Sequence, residues 1–304
     1  MSKYDTEVDL ENAGTSHALI VDLVGHNKTV LDVGCSTGYL ARVLREQGCK
    51  VSGAEIDPAA AAEAEEYLEK VVVDDLDTMD LVDAFSGETF DAVVFGDVLE
   101  HLRDPLPTLR QARKLLSPGG SVIVSVPNVA HGAVRLALLR GKFPYRPLGL
   151  LDSTHLRFFT RDGLEDLMRE AGLVMVDTRR SVAGIFETEL GIEPEDYDPV
   201  LVHELEDDLD ATTYQFVVRA VRDDGDQAVR DMYERGRARD LEIHQLERAV
   251  ARATAEAAAA TERVAEAERR AAAAEAEVSA LTHTLTIRSM RVPRALYSRL
   301  RGLR

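Results

Sequence analysis

The sequence predicts an α/β body, a doubly wound sheet with helices on both faces, followed by a long C-terminal helical coiled coil. Three observations carry that expectation. The run Val30 to Val33 breaks into Gly34 and Gly38 and then a helical pattern, which reads as a buried strand, a tight turn and a helix start. A second run, Lys50 to Glu55, ends in an acid about twenty residues on, the position from which such folds grip ribose hydroxyls. After Val221 the composition shifts to Ala, Glu and Arg, with apolar residues at alternating steps of three and four.

The elements follow in order. Val71 to Asp75 reads as a third strand ending in acids, and Phe90 to Phe95 as a fourth. Gly96 to Pro105 is the loop after it, and Leu115 to Asn128 supplies a helix end, a Pro-Gly-Gly turn and a fifth strand. A final pair of strands is expected near 173–183 and 212–222. Between Arg180 and Arg219 there is no Lys or Arg, while acids accumulate, so residues 187–211 read as a partly helical insertion that could cap the substrate side. A solvated acidic loop is the competing reading.

The turn is Asp32-x-Gly34-x-x-x-Gly38, whereas a dinucleotide site would want G-x-G-x-x-G. With Glu55 it resembles the class I S-adenosylmethionine (SAM) methyltransferases over roughly residues 28–222. That resemblance implies a Rossmann-like fold with a seven-stranded, mostly parallel sheet, and a loop holding the methionyl part of a cationic sulfonium. It also implies a SAM site made by Asp32, Gly34, Cys35, Gly38, Glu55, Ile56, Asp75, Leu76 and Asp97. Asp75 would meet the adenine amino group, since a carboxylate accepts from that donor. Cys35 would be a small loop residue and not a nucleophile. A glycine turn that only closes a β–α connection is the alternative.

At 304 residues the chain has room for a domain and an appendage. Its two cysteines make no disulfide framework, and neither a signal peptide pattern nor a membrane-spanning run is visible, so a cytoplasmic protein is expected. The net charge of −18 is unevenly spread. Residues 225–304 hold 15 Arg, no Lys and 12 acids, a balance of +3, which leaves −21 on residues 1–224. Such a body repels a phosphate backbone, which disfavours a nucleic-acid partner.

Methyl transfer from a sulfonium is one displacement, so the protein must align the acceptor and manage its proton. Asp97, His101 and His155 are the candidate catalytic residues, His being the side chain whose unperturbed pKa suits a base near neutrality. Asp97-x-x-Glu100-His101 with the later His155 also resembles the E-x-x-E-H and downstream His of ubiquinone-biosynthesis and small-RNA 2′-O-methyltransferases. That resemblance implies a divalent ion at Asp97, Glu100, His101 and His155, although Asp97 stands where those families have Glu. Leu-Glu-His-Leu is also common in methyltransferases that use no metal, so positioning or base catalysis is the preferred reading and a metal the alternative.

Ser125 to Pro144, running on to His155 and Phe159, resembles bacterial methyltransferases associated with cell-surface glycan assembly. It is less similar to the methionine-biosynthesis W proteins, which act with a partner acyltransferase. Pro127 is expected to end the fifth strand and Asn128 to cap the next helix. Arg135, Arg140, Lys142, Tyr145 and Arg146 suggest a grip for a sugar, phosphate or carboxylate, or else a solvated basic loop.

The seam running from Ile243, Leu246 and Val250 to Leu285 spans about six heptads, one narrow stripe that needs a partner stripe. A homodimer or a partner enzyme is expected across it. Residues 286–304 hold six Arg and no acid among apolar residues, which suits a helix on an anionic membrane surface at the inner face of the cell membrane, or a disordered basic tail. The expected chain is a methyltransferase domain over 1–222, a coiled coil over 223–285 and a basic amphipathic tail over 286–304. Its expected reaction is O-methylation of a sugar hydroxyl in glycan, glycolipid or related metabolite assembly. N- or O-methylation of another small metabolite and a scaffold acting through a partner enzyme are the alternatives.

Overall fold

A computed structural model of the protein describes residues 12–300. One sheet organises the body, with strand order β3-β2-β1-β4-β5-β7-β6. Strands β1 (Thr29–Val33), β2 (Lys50–Glu55), β3 (Lys70–Val73), β4 (Phe90–Gly96) and β5 (Leu116–Pro127) pair in parallel. Strand β7 (Thr213–Arg222) runs antiparallel between β5 and β6 (Leu173–Val182). The order reverses between β1 and β4, which makes a crevice at their carboxyl ends, the place where open α/β sheets bind ligands.

Central strands carry continuous apolar runs because both of their faces are covered. Leu31, Val33, Val93, Phe95, Val122 and Val124 pack with Leu81 of α4 (Leu81–Ala84), Leu109 of α5 (Pro105–Leu115) and Leu164 of α7 (Arg161–Glu170). Their alternates Val30, Val94 and Ile123 pack on the other face with Ile20 of α1 (Ser16–Val24) and Leu44 of α2 (Tyr39–Glu46). Three helices start at an Asp-Pro pair: α3 (Pro58–Ala64) on Asp57, α5 on Asp104 and α8 (Pro199–Glu206) on Asp198. Each Asp accepts from the N–H two residues on, and each Pro fills a position that needs no donor.

The 187–211 segment is partly helical, with a 3₁₀ turn at Pro194–Asp196 and then α8. It packs on α6 (Gly132–Leu139) through Leu136, Ile185 and Ala211, flanked by Phe186, Tyr197 and Leu201. This contact corrects the reading of the basic loop. Arg135 pairs with Asp208, Arg140 with Asp196 at 2.7 Å, and Arg146 donates to the Leu190 carbonyl at 2.8 Å. These three guanidiniums fasten the insertion and are not held out for a ligand. The cap of α6 also differs from expectation, because His131, not Asn128, accepts from Ala133 N–H. Asn128 is buried and donates to the carbonyls of Asp210 and Thr213, both at 2.8 Å, tying the end of β5 to the end of the insertion.

Helix α9 runs Gln227–Leu300. Two compact units divide within it: the first reaches Ile243 and the second begins at His244, beyond the boundary at 222 that composition suggests. The first turns belong to the body because Tyr233 packs on the core and its hydroxyl bonds Glu165. Of the expected basic tail, residues 301–304 lie outside the described residues. No helix among the described residues is long and apolar enough to cross a membrane.

Candidate active site

The β1–β2 side of the crevice is built from backbone. Gly34 (φ +79°) and Gly38 (φ +78°) occupy the left-handed region, and a Cβ on Gly34 would lie 2.6 Å from Val98 Cγ2. Gly34 and Cys35 N–H both donate to Ala54 O, at 2.8 and 3.1 Å, which folds the loop over the end of β2. Gly53 makes that approach possible, since a Cβ there would meet Cys35 Sγ at 2.7 Å. Burial pushes the Cys35 thiol well up, so it stays protonated and fits a packing role.

Glu55 is held by three main-chain donors: Ser36 N–H at 2.8 Å on one oxygen, Ile56 and Asp57 N–H at 2.9 Å on the other. Asp32, at the end of β1, is buried, and its Oδ2 has no hydrogen-bond partner. Burial first, and the Glu55 charge second, raise its carboxyl to about 7. Ile56 projects from the end of β2 at 61 % exposure, an apolar surface free for a ring to stack on. Asp75 lies exposed in the turn after β3, accepting from Asp77 N–H at 2.9 Å, with Leu76 half-buried beside it. Two glycines that admit no side chain, an orphaned buried carboxylate and an anchored acid fit a cationic, ribose-bearing cofactor.

Across the crevice, Asp97 takes a left-handed backbone (φ +56°) just past β4. Its Oδ1 accepts from Ser125 Oγ at 2.7 Å and Gln215 Nε2 at 2.9 Å. The 3₁₀ turn Leu99–His101 follows, and Glu100 within it is 1 % exposed with neither carboxylate oxygen partnered. Burial and Asp97 raise its carboxyl well above the usual range. His155 arrives from a remote loop because Glu100 O accepts from both Leu156 and Arg157 N–H, at 2.8 and 3.0 Å. The imidazoles of His101 and His155 meet edge to face at 4.9 Å.

Glu100, His101 and His155 each offer a ligand atom, all within 4.8 Å of one another. Asp97 is not in that cluster, which departs from the four-residue metal set expected from the motif; its carboxylate is turned to Ser125 and Gln215. Burial first, then His101, lowers His155 to about 4. It is therefore neutral near pH 7, as ligation requires, and a weak proton acceptor, which counts against the expected general base.

Several neighbours escape sequence reading because no motif marks them. Ser125 and Gln215 orient Asp97, and His17 of α1 meets Tyr39 edge to face at 5.2 Å. An aromatic run also leads away from the histidines: Phe158 lies 6.1 Å from His155, Phe143 5.5 Å from Phe158, and Tyr145 5.4 Å from Phe143. Phe143 and Tyr145 fall in the segment read as basic, and their alignment appears only once residues 143–158 fold back.

Comparison with known proteins shows the family. A family model described as a methyltransferase domain matches residues 16–178, more than half of the chain. This chain belongs to the methyltransferase-domain family. The domain is of the SAM-dependent class, with SAM as methyl donor. Among curated relatives, the ubiquinone biosynthesis O-methyltransferase of Cereibacter sphaeroides (strain ATCC 17029) is 35% identical over 157 residues, 50% of this chain and 63% of the relative. That of Ruegeria pomeroyi is 36% identical over 156 residues, 49% of this chain and 61% of the relative. The chain thus spans less than two thirds of the length of these relatives. Among solved structures, a SAM-dependent methyltransferase of Thermotoga maritima, described as a possible histamine N-methyltransferase, is 21% identical with a TM-score of 0.48, covering 69% of this chain and 89% of that one.

Proposed function

We propose that the protein transfers a methyl group from SAM to a hydroxyl of a small-molecule acceptor, with Glu100, His101 and His155 holding a divalent ion beside that hydroxyl. The observation that carries the metal reading is Glu100, a carboxylate with both oxygens buried and unpartnered next to two imidazoles. Such a group is costly unless something cationic or a proton completes it. The ion would lower the hydroxyl's pKa and orient it.

SAM supplies the methyl group as a cationic sulfonium. The chain's residues do the rest. Gly34, Cys35 and Gly38 let the loop approach the methionyl part, Asp32 offers its free oxygen to a cationic group, and Glu55 faces the ribose. Ile56, Asp75 and Leu76 bound the adenine, and Asp97 stands between cofactor and acceptor.

For the acceptor, the sugar reading has lost its basic grip to the insertion, although a glycan or glycolipid hydroxyl still suits the reaction. The aromatic run from His155 to Tyr145 and the exposed Leu148 and Leu156 favour an acceptor with a flat or apolar portion. The relatives' O-methyltransferase names agree with a hydroxyl acceptor. In the same proposal the catalytic domain read as 1–222 extends into the first turns of α9, a coiled coil follows to residue 285, and 286–304 form a basic tail that attaches peripherally to an anionic membrane.

One experiment tests the reaction: methyl transfer to a panel of aromatic alcohols, lipid-linked phenols and nucleotide-sugars, with and without chelator and with metal added back. Turnover lost with chelator and restored by a divalent ion is the expected outcome. Turnover indifferent to chelator and to Glu100→Gln would end the metal reading, and no turnover despite SAM binding would favour a scaffold acting through a partner.

A further inference from the structure

The second compact unit carries a feature the chemistry does not use. Between Val250 and Leu281 the seam of α9 puts Val250, Ala257, Val264, Ala271 and Val278 at one heptad position, a, and Ala253, Ala260, Ala267, Ala274 and Leu281 at the other, d. Val250, Val264 and Leu281 are 66%, 58% and 58% exposed. β-Branched residues at a with Leu at d favour two parallel strands, a pattern this seam meets with Val at three of five a positions but with Leu only at the last d, so the core alone does not fix the orientation. The flanking charges discriminate further. Arg263 and Arg270 fall at g, Glu268 and Glu275 at e, and all four are exposed.

We infer that this face pairs with a second copy of the chain as a parallel, in-register two-stranded coiled coil. In that arrangement each g residue meets the e residue five positions on in the partner. Arg263 then faces the partner's Glu268 and Arg270 the partner's Glu275, four attractive pairs per dimer by symmetry. Glu256 faces Thr261 of the partner subunit, a neutral contact. An antiparallel pairing aligns e with e and g with g: with this segment fully overlapped Glu268 and Glu275 meet only Thr261 and Thr254, while Arg263 meets Arg270 and Glu256 meets Glu277, both repulsive. Within its own helix Arg270 contacts Glu266, which leaves the guanidinium able to bridge both acids. Six of the ten core layers are Ala, so the helices approach closely and association depends on concentration. This inference does not rest on the proposed reaction.

The full chain is tested by sedimentation velocity over a concentration series. Wild type is expected to dimerise reversibly. Glu268→Arg with Glu275→Arg in one variant, and Arg263→Glu with Arg270→Glu in another, should each weaken self-association by about tenfold or more, because four attractive pairs become repulsive. Mixing the two should restore a dimer, a result no merely misfolded helix would give, and unchanged SAM binding controls for the body. Wild type monomeric throughout, or no restoration on mixing, overturns the inference. Ala274→Cys should cross-link between copies under mild oxidation; a dimer that persists without that cross-link overturns the parallel register.

Discussion

At the β2 end of the crevice Glu55 is met by three main-chain N–H groups within 2.9 Å, whereas across the site neither carboxylate oxygen of Glu100 has a partner. Both acids are buried beside a strand end, yet one is finished by its own loop and the other is left open. The β1–β2 side, proposed for the cofactor, is assembled from residues 32–57, close in sequence and held mostly by backbone. The opposite side, proposed for the acceptor, joins residues 97–101 to a loop more than fifty residues away and adds an insertion from beyond β6. Backbone suits a ligand that never changes. Side chains drawn from distant segments suit chemistry that differs from one acceptor to another.

The comparison breaks most sharply at Gly34. Gly34→Arg forces a side chain into Val98 at a left-handed φ, so SAM affinity should fall by about 100-fold or more by calorimetry, while metal binding at the Glu100 cluster persists. Loss of both together would mean that the two halves do not fold independently. Next in size, Glu100→Gln should lower kcat by about 10- to 100-fold and leave the SAM Kd within about twofold. A weakened SAM Kd in that variant would erase the distinction between the sides.

Asp32 sharpens the comparison by pH. Its carboxyl is raised to about 7 from 3.8, so without ligand the fold favours the protonated form and loses stability as pH rises between those values. A cationic ligand favours the ionised form, so SAM affinity should rise about tenfold from pH 6 to 8 and level off above. Asp32→Asn should flatten that profile, measured as Kd against pH. Smallest, Arg140→Ala removes an exposed pair with Asp196 and should shift Tm by about 2 °C or less while raising the acceptor KM a few-fold. An unchanged KM would place the insertion away from the acceptor.

Legibility follows the same division. The succession of strands along the chain, the glycine turn and Glu55 could be read because each is a local pattern: an apolar run, a tight turn, an acid at a strand end. The antiparallel β7 sits between β5 and β6, a placement that periodicity does not specify. His155 could be named but not placed, because its neighbourhood depends on a main-chain bond to Glu100. Arg135, Arg140 and Arg146 read as a ligand grip or a solvated loop because their partners lie 44 to 73 residues downstream, in a stretch whose sequence shows only an acidic insertion or loop. Asn128 was seen as a cap because Asn before a helix usually is one, and only tertiary structure shows it stitching β5 to the insertion. Heptad spacing was visible from sequence alone.

The carbonyl of Glu100 accepts from both Leu156 and Arg157, and both donors are main-chain groups. A fastening of that kind is blind to which side chains the loop carries. That one tie therefore tolerates exchange of the side chains at 156 and 157, whereas Asn128, α6 and the three arginines bind the rest of the stretch between β5 and α7 to the insertion through their own side chains. The length of the loop and the placing of those two N–H groups, more than the identity of the residues that carry them, are what hold His155 beside His101.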